Sequence, residues 1–212
     1  MICPHYFVFA ATSLLLLIAS STVRADDTEA FLNPANWEGL SQYWKLDPVT
    51  RTIIGHTDKD PGFNTFFCSK KAYGNFELTF EVQLKDAKGN SGVQIRSRLL
   101  DGPKEKGKYI VAGPQADIGQ QYWGSLYGER FGGMMKQSSP ERVKKLIKPD
   151  GFNEYRIRVV GKRVTIVING ETFLDEEFEK LPPEGIIAFQ IHAGGPMTVT
   201  FRNIRFMELQ EK

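Results

Sequence analysis

The segment between Phe76 and Leu84 constrains the fold most strongly. It reads FELTFEVQL, so apolar and polar residues alternate along it without a break. Successive side chains of an extended chain point to opposite faces, which means that such a segment buries one face and exposes the other. A helix of the same sequence would scatter its apolar residues around the axis. The pattern therefore predicts a half-buried β-strand.

The same period of two recurs along the rest of the chain. Six further segments show it: 93–98, 109–118, 155–160, 164–168, 186–192 and 199–206. Asn169-Gly170 is typical of a tight hairpin between two of these segments, and Pro182 to Gly185 interrupts the chain before another. Seven or more short strands separated by turns indicate an all-β sandwich of two antiparallel sheets.

One segment favours a short helix. Ser139 can cap it, Pro140 suits its first position and Pro149 prevents its continuation. Its lysines and arginines are expected to form a solvated face, with a polyanion site as the alternative. The whole chain has 27 Lys and Arg against 25 Asp and Glu, a formal charge of +2, and this balance argues against a nucleic-acid partner.

The first 25 residues are interpreted as a signal peptide. An apolar run from Phe7 to Ile18 is followed by small residues and by Val23-Arg24-Ala25, a small-x-small cleavage pattern. The run is short for a membrane span, although an uncleaved anchor is the alternative. We expect a signal peptide over 1–25, a single domain over 26–212, and an exported protein, periplasmic or extracellular, with no membrane association after cleavage.

Cysteine and histidine usage excludes several kinds of chemistry. Cys68 would be the one cysteine left after cleavage, and its neighbours Phe66 and Phe67 indicate a small buried thiol rather than a nucleophile. His56 and His192 are far apart and lack the spacing of a structural zinc site. The sequence leaves a metal cofactor undecided, and a divalent metal is compatible with it.

The polar faces of three predicted strands supply candidate site residues. If these strands are neighbours in one curved sheet, their polar side chains converge on a groove. Each also has a structural interpretation: an arginine paired with a carboxylate, an aspartate in a turn, or a histidine satisfied beside a Gly-rich turn. The candidates are Gln94, Arg96 and Arg98, then Gln115 and Asp117, then Gln190 and His192.

The segment 120–133, QQYWGSLYGERFGG, interleaves aromatic residues with four glycines and the single acid Glu129. Trp123 and Tyr127 on such a loop would suit stacking on the apolar face of a sugar ring. The equally weighted alternative is a loop that folds over the end of the sandwich and caps its core.

The order of these motifs resembles that of the 3-keto-disaccharide hydrolase domain family, a concanavalin-like jelly roll. The matching stretches cover nearly all of the chain after residue 25: Trp44-Lys45-Leu46 with Gly55, AYGNFELTFEVQL (72–84), GNSGVQIRSR (89–98), GPQADIG (113–119), FNEYRIRVVGKRVTIVING (152–170) and GIIAFQIHAGGPMTVTFRNIRFMEL (185–209). Many members have a glutamate and a glutamine where this chain has Gln115 and Asp117, and a tryptophan in place of Phe152.

The resemblance implies action on a 3-keto-glycoside by deprotonation at carbon 2 and elimination at carbon 1, followed by hydration. Such chemistry needs a base, a stabiliser for the enolate oxygen and an acid for the leaving oxygen. His192 or Asp117 would be the base, Arg96 the stabiliser and Glu129 the acid. The sugar would be held by a larger set: Gln94, Arg98, Gln115, Trp123, Tyr127 and Gln190.

Two other functions remain open at the level of sequence. The same scaffold can be a carbohydrate-binding module without catalysis, because a fold alone does not decide function. It can also be a structural sandwich without a ligand. The enzyme hypothesis further implies a sugar oxidoreductase that makes the keto group.

Overall fold

The computed structural model of the chain describes Met1 and residues 26–100 and 109–210. Apart from Met1, the predicted signal peptide over 1–25 lies outside these residues. None of the described helices is both long enough and apolar enough to span a membrane.

Within the described residues, fourteen strands form two sheets of seven, and every strand pair is antiparallel. The strands are β1 (Trp37–Glu38), β2 (Trp44–Asp47), β3 (Thr52–Thr57), β4 (Thr65–Tyr73), β5 (Phe76–Leu84), β6 (Ser91–Leu99), β7 (Val111–Ile118), β8 (Leu126–Glu129), β9 (Gly133–Lys136), β10 (Asn153–Val160), β11 (Arg163–Ile168), β12 (Glu171–Glu177), β13 (Gly185–Ile191) and β14 (Met197–Glu208). The first sheet has the order β1-β4-β13-β6-β7-β8-β9, and the second has the order β12-β11-β10-β5-β14-β3-β2. The predicted jelly-roll sandwich is confirmed.

The core lies between the two sheets and is rich in aromatic rings. Strand β5 alternates buried and half-buried residues from Phe76 to Leu84, as its sequence predicts. Phe189 of the first sheet packs against Phe201 of the second, with ring centroids 4.7 Å apart. Burying each such side chain stabilises the fold by roughly 1.5–3 kcal/mol, so these inter-sheet contacts hold the layers together.

The helices in the described part of the chain are short. The one-turn helix α1 spans Thr28–Phe31 and packs against β14. The predicted helix is confirmed as α2, Pro140–Leu146, which has proline at its first turn. The Ser139 hydroxyl accepts a hydrogen bond of 3.3 Å from the backbone N–H of Arg142 and so satisfies one of the free donors at the helix start.

Strand β6 departs from simple alternation at Arg96. The pairing of β6 with β7 shifts register between Gln94 and Arg98, and Arg96 has φ of 45°. Such a bulge inserts one extra residue and redirects the side chains that follow it. Gln94 and Arg96 therefore do not share one polar face of a regular strand, which corrects the simple alternation predicted for 93–98.

Candidate functional site

A cavity of about 390 Å³ opens on the face of the first sheet that points away from the second. Its floor is formed by side chains from strands β7, β8 and β13 of the same sheet, in which β6 lies between β13 and β7, and its rim is formed by residues of the connecting segments. The residues that line it are Asn64, Asn90, Gln115, Asp117, Tyr122, Tyr127, Glu129, Met134, Gln190 and His192. Six of the ten predicted site residues thus meet in one place.

Asp117 lies on the floor near the end of β7 and is 7% exposed. Burial raises the pKa of Asp117 to about 7, because the charged form loses its hydration. The hydrogen bond from Gln115 Nε2 to Asp117 Oδ1, at 2.8 Å, opposes this shift, and the negative charge of Glu129 adds to it. A carboxyl with such a pKa can exchange a proton near neutral pH.

Glu129 is the second carboxyl of the cavity and ends strand β8. Partial burial raises the pKa of Glu129 above its ordinary value, while His192, Arg130 and a hydrogen bond from the Asn64 side chain act in the opposite direction. Two acids whose pKa values burial raises therefore face the same cavity.

His192 follows β13 directly and lies on the rim. Its Nδ1 is 2.5 Å from the carbonyl oxygen of Ala193, which can only accept a hydrogen bond. Nδ1 therefore carries the hydrogen of the neutral ring, and Nε2 is left with a lone pair. Nε2 has no hydrogen-bond partner among the described residues, so it is available to take a proton from a ligand.

Asn64 links the backbone next to His192 to the Glu129 carboxyl. Its Oδ1 accepts a hydrogen bond of 3.0 Å from the backbone N–H of Ala193, and its side chain also bonds to Glu129. One amide therefore fixes His192 and Glu129 relative to each other. The sequence alone did not indicate Asn64, because its role depends on two segments that are distant along the chain.

Gln190 is fully buried on the cavity floor, and its amide has no hydrogen-bond partner. Neither Oε1 nor Nε2 of Gln190 bonds to another described atom. A buried amide left unpaired costs about 1–3 kcal/mol, and one that faces a cavity can recover this from a ligand that offers both a donor and an acceptor. A sugar hydroxyl is such a group.

Gln115 is held on the floor by close packing. A Cβ atom at Gly92 would lie 2.5 Å from Gln115 Cδ, so only glycine leaves room for this amide. On its other side Gln115 Oε1 lies 2.9 Å from Gln94 Nε2. Gln94 is fully buried beneath the cavity, so it supports the site from below and does not line it.

Arg96 lies away from the cavity, contrary to its predicted place beside His192 and Asp117. Its guanidinium donates to the carbonyl oxygens of Gly74, Gly161 and Pro182 at 2.6–2.9 Å, and to Asn75 Oδ1 at 2.9 Å. The bulge in β6 is the physical reason, because it turns this side chain toward the loops. Arg98 is exposed and also lies outside the cavity lining.

The aromatic segment 120–133 divides between the core and the cavity. Trp123 is 4% exposed and packs into the hydrophobic core, so for this residue the capping alternative holds. Tyr127 lines the cavity together with Tyr122, which was not among the predicted site residues. The segment is also more regular than a loop, because it contains strand β8 and the start of β9.

Cys68 is fully buried, as predicted from its neighbours. Burial raises the pKa of its thiol, so it stays protonated and unreactive. Among the described residues, no three His, Cys, Asp or Glu side chains gather in a way that could hold a metal ion. Asp117, Glu129 and His192 share the cavity but do not form such a ligand set.

Solved structures of several other proteins share this fold. A protein described as a glycosyl hydrolase from Parabacteroides distasonis ATCC 8503 is 18% identical, with a TM-score of 0.56 over 83% of this chain and 89% of that one. The carbohydrate-binding module CBM66 from Bacillus subtilis is 14% identical, with a TM-score of 0.56 over 82% and 96%. At these identities the likeness shows the fold alone.

A Bacillus subtilis protein of unknown function with a galectin-like fold is 14% identical, with a TM-score of 0.54 over 83% of this chain and 90% of that one. No curated protein matches the chain in sequence. The sequence pattern of the 3-keto-alpha-glucoside-1,2-lyase-like domain matches residues 29–207. This match spans most of the chain, which therefore belongs to the 3-keto-alpha-glucoside-1,2-lyase-like domain family.

Proposed function

We propose that the protein cleaves 3-keto-glycosides by elimination. The observation that carries this proposal is the meeting of Asp117, Glu129 and His192 in one cavity whose floor also offers an unpaired amide. Family membership supports the reaction class.

The reaction begins with removal of the proton on carbon 2, which the neighbouring ketone makes acidic. Nε2 of His192 is the base, because its lone pair is available at the rim. The electron pair left on carbon 2 forms an enolate with the carbon 3 carbonyl. The Gln190 amide N–H is the donor for the enolate oxygen, a role that the sequence-based prediction gave to Arg96.

Collapse of the enolate breaks the bond between carbon 1 and the glycosidic oxygen. Glu129, whose pKa partial burial raises, donates a proton to that leaving oxygen. The unsaturated keto-sugar that remains becomes the 3-keto-hexose when water adds across the carbon 1 to carbon 2 double bond. The proposal also implies a separate oxidoreductase that makes the 3-keto group. We further propose that residues 1–25 are a signal peptide that directs export.

The test is turnover of a 3-keto-glucoside by the purified protein, with and without divalent metal, followed by chromatography of both products. His192→Gln is expected to abolish turnover, while His56→Gln, an exposed histidine on the second sheet, is the matched control and retains it. Glu129→Gln is expected to slow cleavage most for substrates with poor leaving groups. Full turnover by His192→Gln would rule out this mechanism.

A second candidate function is carbohydrate binding without cleavage, which the unpaired Gln190 amide on the cavity floor favours. It predicts saturable heat on titration with an oligosaccharide and no product. In that case Gln190→Leu would weaken binding, because the amide is the unsatisfied group on the floor. His192→Gln would then have little effect on affinity.

A further inference from the structure

Asp117 begins a chain of hydrogen bonds that runs beneath the cavity. Asp117 Oδ1 lies 2.8 Å from the Gln115 amide, the Gln115 amide lies 2.9 Å from that of Gln94, and Gln94 lies 2.7 Å from the hydroxyl of Ser97. All four side chains are at most 7% exposed. Water therefore has little access to the chain, and its members must satisfy one another.

Each amide can point its oxygen in either direction along this chain, and the surroundings of Gln94 distinguish the two. With Nε2 toward Gln115, the oxygen of Gln94 can accept from the Ser97 hydroxyl at 2.7 Å, but it also faces the carbonyl oxygens of Gly113 and Pro114, which can only accept. After reversal, Nε2 of Gln94 donates to those carbonyls at 3.3 and 3.2 Å and to Ser97 Oγ at 2.7 Å. The backbone therefore favours the reversed amide.

Reversal of Gln94 forces reversal of Gln115. If Gln94 turned alone, its oxygen would face the oxygen of Gln115 at 2.9 Å, and two acceptors would oppose each other without a hydrogen. When Gln115 turns as well, its Nε2 donates to Gln94 and its Oε1 faces Asp117 Oδ1. Two oxygens at 2.8 Å need a proton between them, and the carboxyl is the group that can supply it.

We infer that Asp117 holds a proton in the resting protein and that Gln94 and Gln115 are positioning residues that keep it there. The direction of both amides is coupled to the charge on the carboxyl. When Asp117 gives up its proton, the two amides must turn so that Gln115 can donate to the carboxylate. The backbone carbonyls of Gly113 and Pro114 oppose that turn and so favour return of the proton.

The other ionisable groups around Asp117 either favour its protonated form or do not contact its carboxyl. Glu129, from β8, faces it across the cavity and disfavours a second negative charge. Tyr155, from the second sheet, bonds to the backbone carbonyl of Asp117 and not to its carboxyl. His192, from the end of β13, bears on Glu129. Burial raises the pKa of Asp117 even when Gln115 donates to it, so the reversed amides act in the same direction as burial.

This inference deepens the proposed function, on which its catalytic meaning rests. An Asp117 that already carries a proton, held against Gln115, is not the base at carbon 2. Of the two bases that sequence allowed, it selects His192. The protonation itself is a property of the protein without substrate, so it can be tested separately from turnover.

The test measures the Asp117 carboxyl in the full-length protein without a ligand. Infrared difference spectra between wild type and Asp117→Asn at about pH 6 are expected to show the C=O stretch of a protonated carboxylic acid. Raising the pH should remove this band. In selectively labelled protein, the side-chain amide NMR signals of Gln94 and Gln115 should shift with the same midpoint as the band.

Gln94→Met tests the role of the amides. It removes the group that the backbone carbonyls orient, so Gln115 becomes free to donate to the carboxylate, and the midpoint should fall by roughly one pH unit. Gln190→Met is the matched control. Gln190 is also fully buried, but its amide makes no hydrogen bond to Asp117, Gln115 or Gln94, so this variant should keep the wild-type midpoint.

Absence of the band in the wild type would overturn the inference, and so would a midpoint that stays or rises in Gln94→Met. If Gln94→Met does not fold, the wild-type band and the two amide signals decide the question without it. A band that behaves as expected in a protein that never cleaves a keto-glucoside would retain this inference and reject the proposed function.

Discussion

The hydroxyl of Tyr155 donates a hydrogen bond of 3.1 Å to the backbone carbonyl oxygen of Asp117, although the two residues belong to opposite sheets. Tyr155 is buried on β10 and stacks on Phe80 of β5, with centroids 5.2 Å apart and planes 8° from parallel. The bond crosses the core and fixes the end of β7, which carries the buried acid, to the second layer.

Removal of the Tyr155 hydroxyl tests how much this hydrogen bond between the sheets contributes to stability. Tyr155→Phe keeps the ring stacking and removes one donor, while the carbonyl of Asp117 retains its bond from the Gly124 N–H at 3.1 Å. The free energy of unfolding should therefore fall by about 1 kcal/mol, the net worth of one hydrogen bond. Urea denaturation measures this loss, and an unchanged midpoint would mean that the bond contributes nothing.

The raised pKa of Asp117 predicts how stability depends on pH. The folded protein keeps the proton up to about pH 7, whereas the unfolded chain releases it near the ordinary value of 3.8. Between these values the folded state binds more protons, so this residue's contribution to stability is full at low pH and is lost as pH rises through 7. Above pH 7 the free energy of unfolding is therefore lower, by on the order of 4 kcal/mol, than it would be if Asp117 stayed protonated in both states.

Asp117→Asn removes this penalty, so the variant should be more stable than wild type at about pH 8 and similar to it near pH 4. Denaturation at both pH values measures the difference. Asp175→Asn is a control of opposite sign: the Arg163 side chain lowers the pKa of Asp175, and loss of this exposed pair should slightly destabilise the protein at neutral pH. Equal destabilisation by both variants would contradict the burial of a neutral acid.

Arg96 is expected to matter for stability and not for chemistry. Arg96→Lys cannot reach all the acceptors that the buried guanidinium joins, so partly buried carbonyl groups lose their partners and the free energy of unfolding should fall by about 1–3 kcal/mol. Arg98→Lys, an exposed arginine in the same strand, is the control and should cost little. Turnover per folded molecule should be the same in both, and selective loss of turnover in Arg96→Lys would contradict its place outside the cavity.

Trp123 and Tyr127 separate packing from ligand contact. Trp123→Ala leaves a void in the core and should cost about 3–5 kcal/mol of stability. Tyr127→Ala removes a half-buried ring from the cavity wall, so it should weaken binding of a sugar while changing stability little. Thermal denaturation measures the stability of both variants, and calorimetric titration measures their affinity for a sugar. Lost affinity without lost stability in Trp123→Ala would contradict this assignment.

The sequence predicted those parts of the site that follow regular alternation. Gln115 and Asp117 on β7 and Gln190 on β13 alternate with buried Ala116, Ile118 and Phe189, and they lie on the cavity face as their spacing indicates. The period of two fixes such side chains as soon as the opposite face is buried.

The prediction failed where the backbone leaves that period. Arg96 follows the same alternation in sequence, but the bulge redirects it, and no local signal marks the inserted residue. Trp123 was ambiguous because a ring beside glycines suits a core cap as well as a sugar contact. Asn64 and Asn90 enter the site only through the folding of distant segments, which pattern alone does not reveal.

The floor and the rim of the cavity belong to different kinds of structure. The two acids and Gln190 stand on hydrogen-bonded strands, whereas Asn64, Asn90, Tyr122 and His192 sit in the connections between elements. Connections tolerate insertion and exchange far better than paired strands do. Evolution can therefore replace the residues at the cavity opening, and so change which ligand is admitted, while the strand residues of the floor are kept.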